Sequence, residues 1–375
     1  MSLIEGTNTD QFNSVRAVLE QQLADGQDVG ASVAVVYRGE LVVDLWGGFV
    51  DEDRTAQWQR DTLVNVWSTT KTMTFLVALM LVDRGLLDFN APVSRYWPEF
   101  AVNGKEAIEL RHLMSHTAGL PAWSESLRPE ELADWERCTT ALARQSPWWE
   151  PGTKSGYHAV TQGFLIGEVV RRVTGVTIGQ FFKREVADVL EADFHIGLPE
   201  SAEERVSVVI PPKGLNLSGL DVDSIAYRTF TSPPLDPTMP RHRWWRAAEI
   251  PAANGHGNAR SVATIQSVIA NNGEINGRRF FSPSTGDQIF RTQSRGIDQV
   301  LGVETHFGMG YALASNVTPI GPRSCYWGGF GGSLVVIDQE LQLTVAYMMN
   351  QMRVGLIGDM RGPAIAFAAA VAALS

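Results

Sequence analysis

Segments rich in β-branched residues lie towards both ends of this 375-residue chain, and they constrain its fold more than any other feature. Near the start, ASVAVVYRGELVVDLWGG (residues 31–48) predicts two strands joined by a turn at Arg38-Gly39. Near the end, GSLVVIDQELQLTVAYMMN (residues 332–350) predicts a second hairpin with its turn close to Gln339-Glu340. We therefore expect a central antiparallel sheet built from both ends of the chain.

Helical periodicity fills much of the remaining sequence. Apolar residues recur at helical spacing in residues 10–23, 68–84, 161–175, 260–273 and 360–374, and Gly85, Gly175 and Gly273 provide stop signals. The predicted fold class is α/β (α+β): a discontinuous sheet domain of residues 1–88 and 255–375, with helices on the sheet, and an inserted, mostly helical domain of residues 89–254. Residues 210–240 are predicted to be a long loop that frames a binding site.

The charge and hydropathy of the chain exclude some classes of partner. The formal net charge of −10 repels nucleic-acid phosphates, and no polybasic patch favours an anionic membrane. The longest apolar stretches, residues 75–82 and 364–374, are too short to cross a bilayer. Because no signal peptide is evident, we expect a cytoplasmic protein in which Cys138 and Cys325 are thiols.

One tetrapeptide, Ser68-Thr69-Thr70-Lys71, carries the elements of nucleophilic chemistry. Residues three apart share a helix face, so Lys71 would lie beside Ser68. An amine that is partly removed from water has a lowered pKa and can take the serine proton. However, an S-x-x-K match arises about once by chance in a chain of this length. The alternative that Ser68 caps a helix and Lys71 lies on the surface therefore stays open.

Longer segments around this tetrapeptide resemble the serine β-lactamase and penicillin-binding protein superfamily. The first is NVWSTTKTMTFLVALM, which contains Ser68 and Lys71. LRHLMSHTAGLP (residues 110–121) and PGTKSGYHAVTQGFLIGEVVRRVTG (residues 151–175) follow in the order that this family shows. CYWGGFGGSLVVIDQE (residues 325–340) occupies the place of the third family motif. The resemblance implies the fold of that superfamily, which is the fold expected above.

The resemblance also implies catalytic roles. Ser68 would be the nucleophile that forms an acyl-enzyme, and Lys71 would assist its deprotonation. Tyr157 matches the tyrosine of the second motif and would act as general base, with its phenolate favoured by Lys71. Trp327-Gly328-Gly329 would be the third motif. The backbone N–H groups of Ser68 and Phe330 would then form the oxyanion hole.

Two positions depart from the β-lactamase pattern, and both bear on the substrate. Ala159 replaces the asparagine that contacts a substrate amide, and Trp327 replaces the lysine that helps to hold a substrate carboxylate. The W-G-G form of the third motif resembles the family VIII carboxylesterases. Aromatic residues and a histidine are further candidates for the substrate pocket, with lobe packing as the alternative for the tryptophans: His158, Trp148, Trp149, Trp244 and Trp245.

The sequence therefore predicts a serine carboxylesterase that hydrolyses small-molecule, short-chain esters through an acyl-Ser68 intermediate. No metal or organic cofactor is expected. A weak β-lactamase or D-amino-acid peptidase, and a catalytically silent binding protein on the same fold, are the alternatives. The sequence does not determine the oligomeric state, and a homodimer is compatible with it.

Overall fold

The computed structural model describes residues 4–213, 219–316, 318, 320–354 and 358–375. Strands occur towards both ends of the chain, with short ones between. They are β1 (Ile4–Asn8), β2 (Gly30–Tyr37), β3 (Glu40–Gly48), β4 (Val64–Asn65), β5 (Phe194–His195), β6 (His256–Gly257), β7 (Glu274–Ile275), β8 (Arg278–Arg279), β9 (Ser294–Ile297), β10 (Glu304–Phe307), β11 (Ala312–Leu313), β12 (Ser324–Gly328), β13 (Leu334–Asp338) and β14 (Leu343–Met349).

Within the described residues, nine of these strands form one antiparallel sheet in the order β1-β3-β2-β14-β13-β12-β11-β10-β9. The two ends of the chain meet where β2 pairs with β14, and Val35 lies opposite Val345. A smaller sheet joins β4, β6 and β5, and β7 pairs with β8. The predicted central sheet built from both ends of the chain is therefore confirmed.

Both predicted hairpins are present. Tyr37 pairs with Glu40 across a two-residue turn in which Arg38 and Gly39 both have positive φ, at 52° and 83°. That geometry matches the right-handed twist of the flanking strands, and glycine adopts it at little cost. In the second hairpin, Asp338 pairs with Leu343, so Gln339-Glu340 lies in the turn as predicted.

The α-helices are α1 (Asn13–Ala24), α2 (Lys71–Asp83), α3 (Leu110–Met114), α4 (Trp135–Arg144), α5 (Thr161–Thr174), α6 (Ile178–Phe182), α7 (Ile225–Thr231), α8 (Arg243–Ala247), α9 (Ala259–Ala270), α10 (Pro283–Gly286) and α11 (Arg361–Leu374). Short 3-10 helices span Asp10–Phe12, Trp67–Thr70, Val93–Arg95, Pro98–Phe100, Pro129–Ala133, Glu200–Arg205, Met239–Arg241 and Asp287–Phe290, and a π-helix spans Lys183–Ala187.

The central sheet is covered by helices on both faces. Side chains alternate between the two faces of a strand, so β2 and β14 contribute to two separate apolar clusters. One cluster joins Val33 and Val345 to Ile365 of α11 and to α1. The other joins the opposite face to α2, α5 and α9. Packing in this second cluster brings the N-terminal end of α2 next to strand β12 of the sheet.

Some elements differ in detail from the sequence prediction. The segment predicted as a single helix over residues 68–84 begins as the 3-10 helix Trp67–Thr70 and becomes α-helical at Lys71. Residues 210–240, predicted to be a loop, contain α7 and a 3-10 turn, while residues 214–218 lie outside the described part. The division into two domains stays a prediction.

Two findings concern the predicted environment of the protein. No helix in the described part of the chain has both the length and the apolar character that crossing a membrane would require. Cys138 and Cys325 are both free and buried.

Candidate active site

A tight turn at the front of α2 presents Ser68 to solvent. Strand β4 ends at Asn65, and Trp67 then takes a φ of 48°, which is unusual for a bulky side chain. The Trp67 ring is held between Trp245 and Phe330, with ring centroids 5.5 and 5.4 Å away. Trp67 and its neighbours Thr69 and Thr70 are buried, whereas Ser68 is partly exposed. The turn therefore leaves the Ser68 side chain accessible.

The structure does not support the alternative in which Ser68 is a cap and Lys71 a surface residue. Val66 occupies the N-cap position of the 3-10 helix and Thr70 that of α2, and neither end has a side-chain cap. Lys71 is 1% exposed. Its Nζ lies 3.2 Å from Ser68 Oγ, so the two side chains share a helix face as predicted.

Three predicted residues meet at the Ser68 hydroxyl. Tyr157, which lies just before α5, donates from Oη to Ser68 Oγ at 2.7 Å. Lys71 Nζ lies 4.8 Å from the centre of the Tyr157 ring. Residues separated by 89 positions in the chain are thus in direct contact, and Ser68 Oγ has a nitrogen and an oxygen within hydrogen-bond distance.

The surroundings of Lys71 favour its neutral form. Burial holds the pKa of the Lys71 amine well below its usual range, because a charged amine loses hydration there. Nζ also donates to the carbonyl oxygens of Ala159 and Ala252, at 2.7 and 2.9 Å. If the Lys71 amine is neutral, its two N–H groups donate to these two carbonyl oxygens. The lone pair would then point at Ser68 Oγ.

The surroundings of Tyr157 favour the protonated phenol. Burial raises the pKa of Tyr157 far above its usual value, while hydrogen bonds with Ser68 and from the Trp327 side chain oppose that rise. The nearby Asp298 carboxylate raises the pKa further. The sequence expectation was a phenolate favoured by Lys71. The structure instead favours a pair in which both Lys71 and Tyr157 are uncharged.

The third motif lies against the Ser68 turn. Ser333 Oγ donates to the carbonyl of Val66 at 2.8 Å and lies 3.0 Å from Thr69 Oγ1. A Cβ at Gly329 would lie 2.4 Å from the Val66 carbonyl oxygen, so only glycine allows this approach. In the described part of the chain, the Phe330 amide makes no hydrogen bond to another backbone group. An oxyanion hole formed by the N–H groups of Phe330 and Ser68 stays a prediction.

Trp327 fills the position that the resemblance assigns to a lysine. Its ring stacks on His116 at 5.4 Å and packs against Phe75 at 5.4 Å and Phe307 at 5.7 Å. It is 4% exposed and lies 6.1 Å from the Tyr157 ring. This position therefore offers a substrate no positive charge.

Two predicted pocket residues are buried and hydrogen-bonded within the protein. His158 is fully buried, and its Nε2 accepts from the Leu120 amide at 3.1 Å while Nδ1 donates to the Gly156 carbonyl at 2.6 Å. Burial lowers the pKa of His158 to about 3, so the ring is neutral. Trp245 is also fully buried and donates to Asn65 Oδ1 at 2.9 Å. Both side chains are packed inside the protein, which no local pattern reveals, and their assignment to a substrate pocket stays a prediction.

The other predicted pocket tryptophans are partly exposed. Trp148 donates to Ser124 Oγ at 2.8 Å, and the Arg228 guanidinium lies 4.0 Å above its ring. Trp149 packs under Gly156 and donates to the Lys154 carbonyl at 3.0 Å. Trp244 packs against Trp245. None of these tryptophans lines the groove of about 880 Å³ whose lining includes Tyr157 and Trp327.

Sequence reasoning missed Asp298, which anchors the segment that carries Tyr157. This fully buried carboxylate accepts from the Tyr157 amide at 3.0 Å and from the Ser155 hydroxyl at 2.9 Å. It also accepts from the amides of Val300 and Leu301, both at 2.9 Å. No motif surrounds Asp298, so the sequence held no signal for this positioning residue.

We expect Asp298→Asn to lower kcat by about 10- to 100-fold while KM changes little, because a small shift of Tyr157 misaligns its hydroxyl. Steady-state kinetics and thermal unfolding test this. The matched control is Glu168→Gln, since Glu168 is an equally buried carboxylate that binds Trp135 and Arg171 in the helical part. The control should lower Tm and leave kcat unchanged. Equal kcat losses in both variants would contradict the positioning of Tyr157 by Asp298.

The described residues also bear on metal binding. Among them, no group of three or more His, Cys, Asp or Glu side chains is arranged to hold a metal ion. The contacts at Ser68 bring together a hydroxyl, an amine and a phenol.

Comparison with known proteins reveals extensive similarity. The Beta-lactamase family model matches residues 15–370. The protein named Esterase/beta-lactamase LipL, from Mycobacterium tuberculosis, is 34% identical over 337 residues, which cover 86% of this chain and 77% of that protein.

Solved structures agree with the sequence comparison. The crystal structure of a family VIII carboxylesterase has a TM-score of 0.93 and 38% identity, covering 98% of this chain and 99% of the other. A penicillin-binding protein homologue from Caulobacter crescentus has a TM-score of 0.92 and 34% identity, with the same coverage of both chains.

Proposed function

Because the chain belongs to the beta-lactamase family, we propose that it is a serine carboxylesterase that cleaves simple esters of short acyl chains through an acyl-Ser68 intermediate. The observation that carries this proposal is the contact of Ser68 Oγ with both Lys71 Nζ and Tyr157 Oη beside a third motif that lacks a cation. The esterase names of LipL and of the family VIII structure support the same class of reaction.

Acylation would begin with proton transfer from Ser68 Oγ to the neutral Lys71 amine. The oxygen attacks the ester carbonyl, and the carbonyl oxygen becomes an oxyanion bound by the N–H groups of Ser68 and Phe330. Lys71 gains a positive charge in this step, which the carbonyls of Ala159 and Ala252 stabilise. Because burial lowers its pKa, more of this amine is neutral at neutral pH than of an exposed lysine, so it can accept the serine proton.

The leaving alkoxide would take its proton from Tyr157 Oη, and Lys71 would return a proton to Tyr157. This relay requires no phenolate in the resting enzyme, which suits a tyrosine whose pKa is raised by burial. Water then attacks the acyl-Ser68 carbonyl with the same groups acting in reverse order. The products are a carboxylic acid and an alcohol, and no cofactor takes part.

The same site lacks two groups that would select a lactam or a peptide. The methyl group of Ala159 cannot bind a substrate amide, and the indole of Trp327 cannot pair with a carboxylate. Each hydrogen bond to a charged group is worth about 1.5–3 kcal/mol, or one to two powers of ten in affinity. An ester needs neither contact and has a better leaving group than an amide.

We expect kcat/KM for p-nitrophenyl acetate and butyrate to exceed that for nitrocefin by at least about 100-fold, since both polar contacts are missing. A spectrophotometric panel with a D-Ala dipeptide as a further substrate measures this. Nitrocefin turnover equal to ester turnover would favour the weak β-lactamase, and release of D-alanine the peptidase. If the protein hydrolyses none of the esters in the panel, the catalytically silent binding protein would be favoured.

A further inference from the structure

The residues after β12 form a tight turn of four residues, 329–332, which we call the glycine turn. The Gly332 amide donates to the Gly329 carbonyl at 3.1 Å, so Phe330 and Gly331 are the two central residues. Gly331 has a φ of 89°, which suits the second central position of a type II turn and favours glycine there. The direction of the Phe330 amide therefore depends on how the glycine turn is held.

At its first two residues, the glycine turn contacts the segment that carries Ser68. A Cβ at Gly329 would lie 2.4 Å from the Val66 carbonyl oxygen. The Phe330 ring packs on the Trp67 ring, with 5.4 Å between the centroids. A displacement of the glycine turn would therefore move the Phe330 amide relative to Ser68.

At its last two residues, the glycine turn contacts a buried arginine. Arg361, at the start of α11, is 4% exposed. Its Nη2 donates to the Gly331 carbonyl at 2.8 Å, and the Arg353 amide donates to the same oxygen at 3.0 Å. A Cβ at Gly332 would lie 2.6 Å from Arg361 Nη2, so glycine allows this close approach. The residue that follows Phe330 is thus held by a charge-assisted hydrogen bond.

The guanidinium of Arg361 is itself held from several directions. Nη1 donates to Asp28 Oδ1 at 2.6 Å and to the Gln351 carbonyl at 2.9 Å. Asp359 accepts from Nε at 2.9 Å and from Nη2 at 2.7 Å. Asp28 is buried and also accepts from Tyr347 Oη at 2.7 Å. The planar guanidinium therefore joins the loop before β2, the end of β14 and the start of α11 to the glycine turn.

We propose that Arg361 is a positioning residue of the active site: its guanidinium holds the glycine turn where the Phe330 amide can bind the oxyanion of the reaction. The inference rests on the proposed esterase function and extends it to a residue that does not touch the substrate. An oxyanion donor matters most when negative charge has developed, so its displacement slows the chemical step more than it weakens substrate binding.

Arg361→Lys tests the inference. Lysine keeps a positive charge between Asp28 and Asp359, so the fold should persist, but one ammonium cannot reproduce a fork that reaches Asp28 and Gly331 together. We expect kcat for p-nitrophenyl acetate to fall about 10- to 100-fold while KM changes by less than about threefold. Steady-state kinetics, at a temperature where thermal unfolding shows each protein to be folded, measure this. An unchanged kcat would overturn the inference.

Asp359→Asn provides a milder second variant, which decides the question if Arg361→Lys does not fold. It removes the charge that orients Nε and Nη2 but leaves Arg361 in place, so kcat should fall about three- to tenfold. An unchanged kcat in a folded Asp359→Asn protein would count against the positioning of the glycine turn.

A trifluoromethyl ketone separates oxyanion binding from general damage. Ser68 Oγ forms a bond to the ketone carbon, the carbonyl oxygen becomes an oxyanion, and the serine proton passes to Lys71. The inhibition constant should rise in each variant by about the factor by which kcat/KM falls, because the adduct needs the same N–H donors as the transition state. A loss of kcat with an unchanged inhibition constant would contradict the inference.

Arg260→Lys is the matched control. Arg260 also joins a carboxylate to a backbone carbonyl, since its guanidinium donates to Asp44 Oδ2 at 3.0 Å and to the Arg60 carbonyl at 3.3 Å. The control should keep the wild-type kcat and inhibition constant, and a loss of kcat equal to that in Arg361→Lys would overturn the inference. If the wild-type protein hydrolyses no ester, the proposed function itself fails. If it does and both turn variants match it, only the role of Arg361 fails.

Discussion

Ser68→Ala is expected to lower kcat/KM for p-nitrophenyl acetate by about 10⁴-fold or more, because it removes the atom that would form the acyl bond. Its hydroxyl is the contact point of Lys71 Nζ and Tyr157 Oη, so neither side chain has another nucleophile to activate. The fold should persist, since the Ser68 side chain is partly exposed and does not cap a helix. Initial rates and thermal unfolding together measure this outcome.

Intact-mass spectrometry separates loss of the nucleophile from loss of the fold. A fluorophosphonate should add one covalent adduct to the wild-type protein and none to Ser68→Ala. Ser146→Ala, which removes an exposed hydroxyl, serves as the control and should keep both the rate and the adduct. Full ester hydrolysis by Ser68→Ala would refute the acyl-Ser68 mechanism, and an adduct on that variant would place the reactive group elsewhere.

Lys71→Met is expected to lower kcat/KM by about 10²- to 10⁴-fold, which is the usual contribution of a general base. Methionine has a similar length and is apolar, so it fills the same buried space. Without the amine, the Ser68 hydroxyl meets only a Tyr157 whose pKa is raised, and neither group accepts the serine proton readily. The acyl-enzyme would form slowly even with an activated ester.

The pH dependence provides a second signature of Lys71. Burial lowers the pKa of this amine, so the reactive neutral form is lost as the pH falls through that pKa. We expect the wild-type kcat/KM to decrease as the pH falls through the pKa of Lys71. The residual kcat/KM of Lys71→Met should lack this decrease, which is the acid limb of the pH profile. An unchanged acid limb in the variant would show that another group titrates there.

Stability should depend on the same group, and it should also rise with pH. The unfolded chain binds a proton at Lys71 between the lowered folded pKa and the usual value of 10.5, whereas the folded chain does not. Wild-type stability therefore gains from Lys71 as the pH rises through this window, and Lys71 destabilises the fold at neutral pH. Urea unfolding should show that Lys71→Met is at least as stable as the wild type at pH 7 and gains less than the wild type between neutral and alkaline pH.

The chain contains a matched control for Lys71. Lys105 is also buried, donates to the carbonyls of Val102 and Gln145, and has a pKa lowered by burial to about 8. It makes no contact with Ser68. Lys105→Met should leave kcat/KM unchanged, so a comparable loss in both variants would indicate structural damage rather than removal of a base.

Local pattern predicted those parts of the protein that depend on neighbouring residues. The turn at Arg38-Gly39 followed from its two residues, and the hairpin at Gln339-Glu340 from its flanking strands, because hairpin geometry is decided within a few positions. The contact of Lys71 with Ser68 followed from their spacing of three residues. Helical spacing also predicted most of the long helices, apart from the 3-10 start at Trp67–Thr70.

Contacts between distant segments could not be derived in this way. Tyr157 entered the candidate site through its resemblance to a family motif, and Asp298 had no signal at all, although the two residues are hydrogen-bonded across 141 positions. His158 and Trp245 were assigned to a pocket because their residue types suit one. Both are fully buried, since segments far away in the chain pack over them.

The sequence by itself determined the two hairpins, the helical periods and the adjacency of Ser68 and Lys71, because each arises from the repeat geometry of one short segment. The tertiary structure alone decided which titratable groups lose their hydration, and so the directions in which the Lys71 and Tyr157 pKa values move. It also decided that Tyr157 and Trp327 line a groove of about 880 Å³. Desolvation and concave surfaces depend on which distant segments pack together, and no local pattern carries that information.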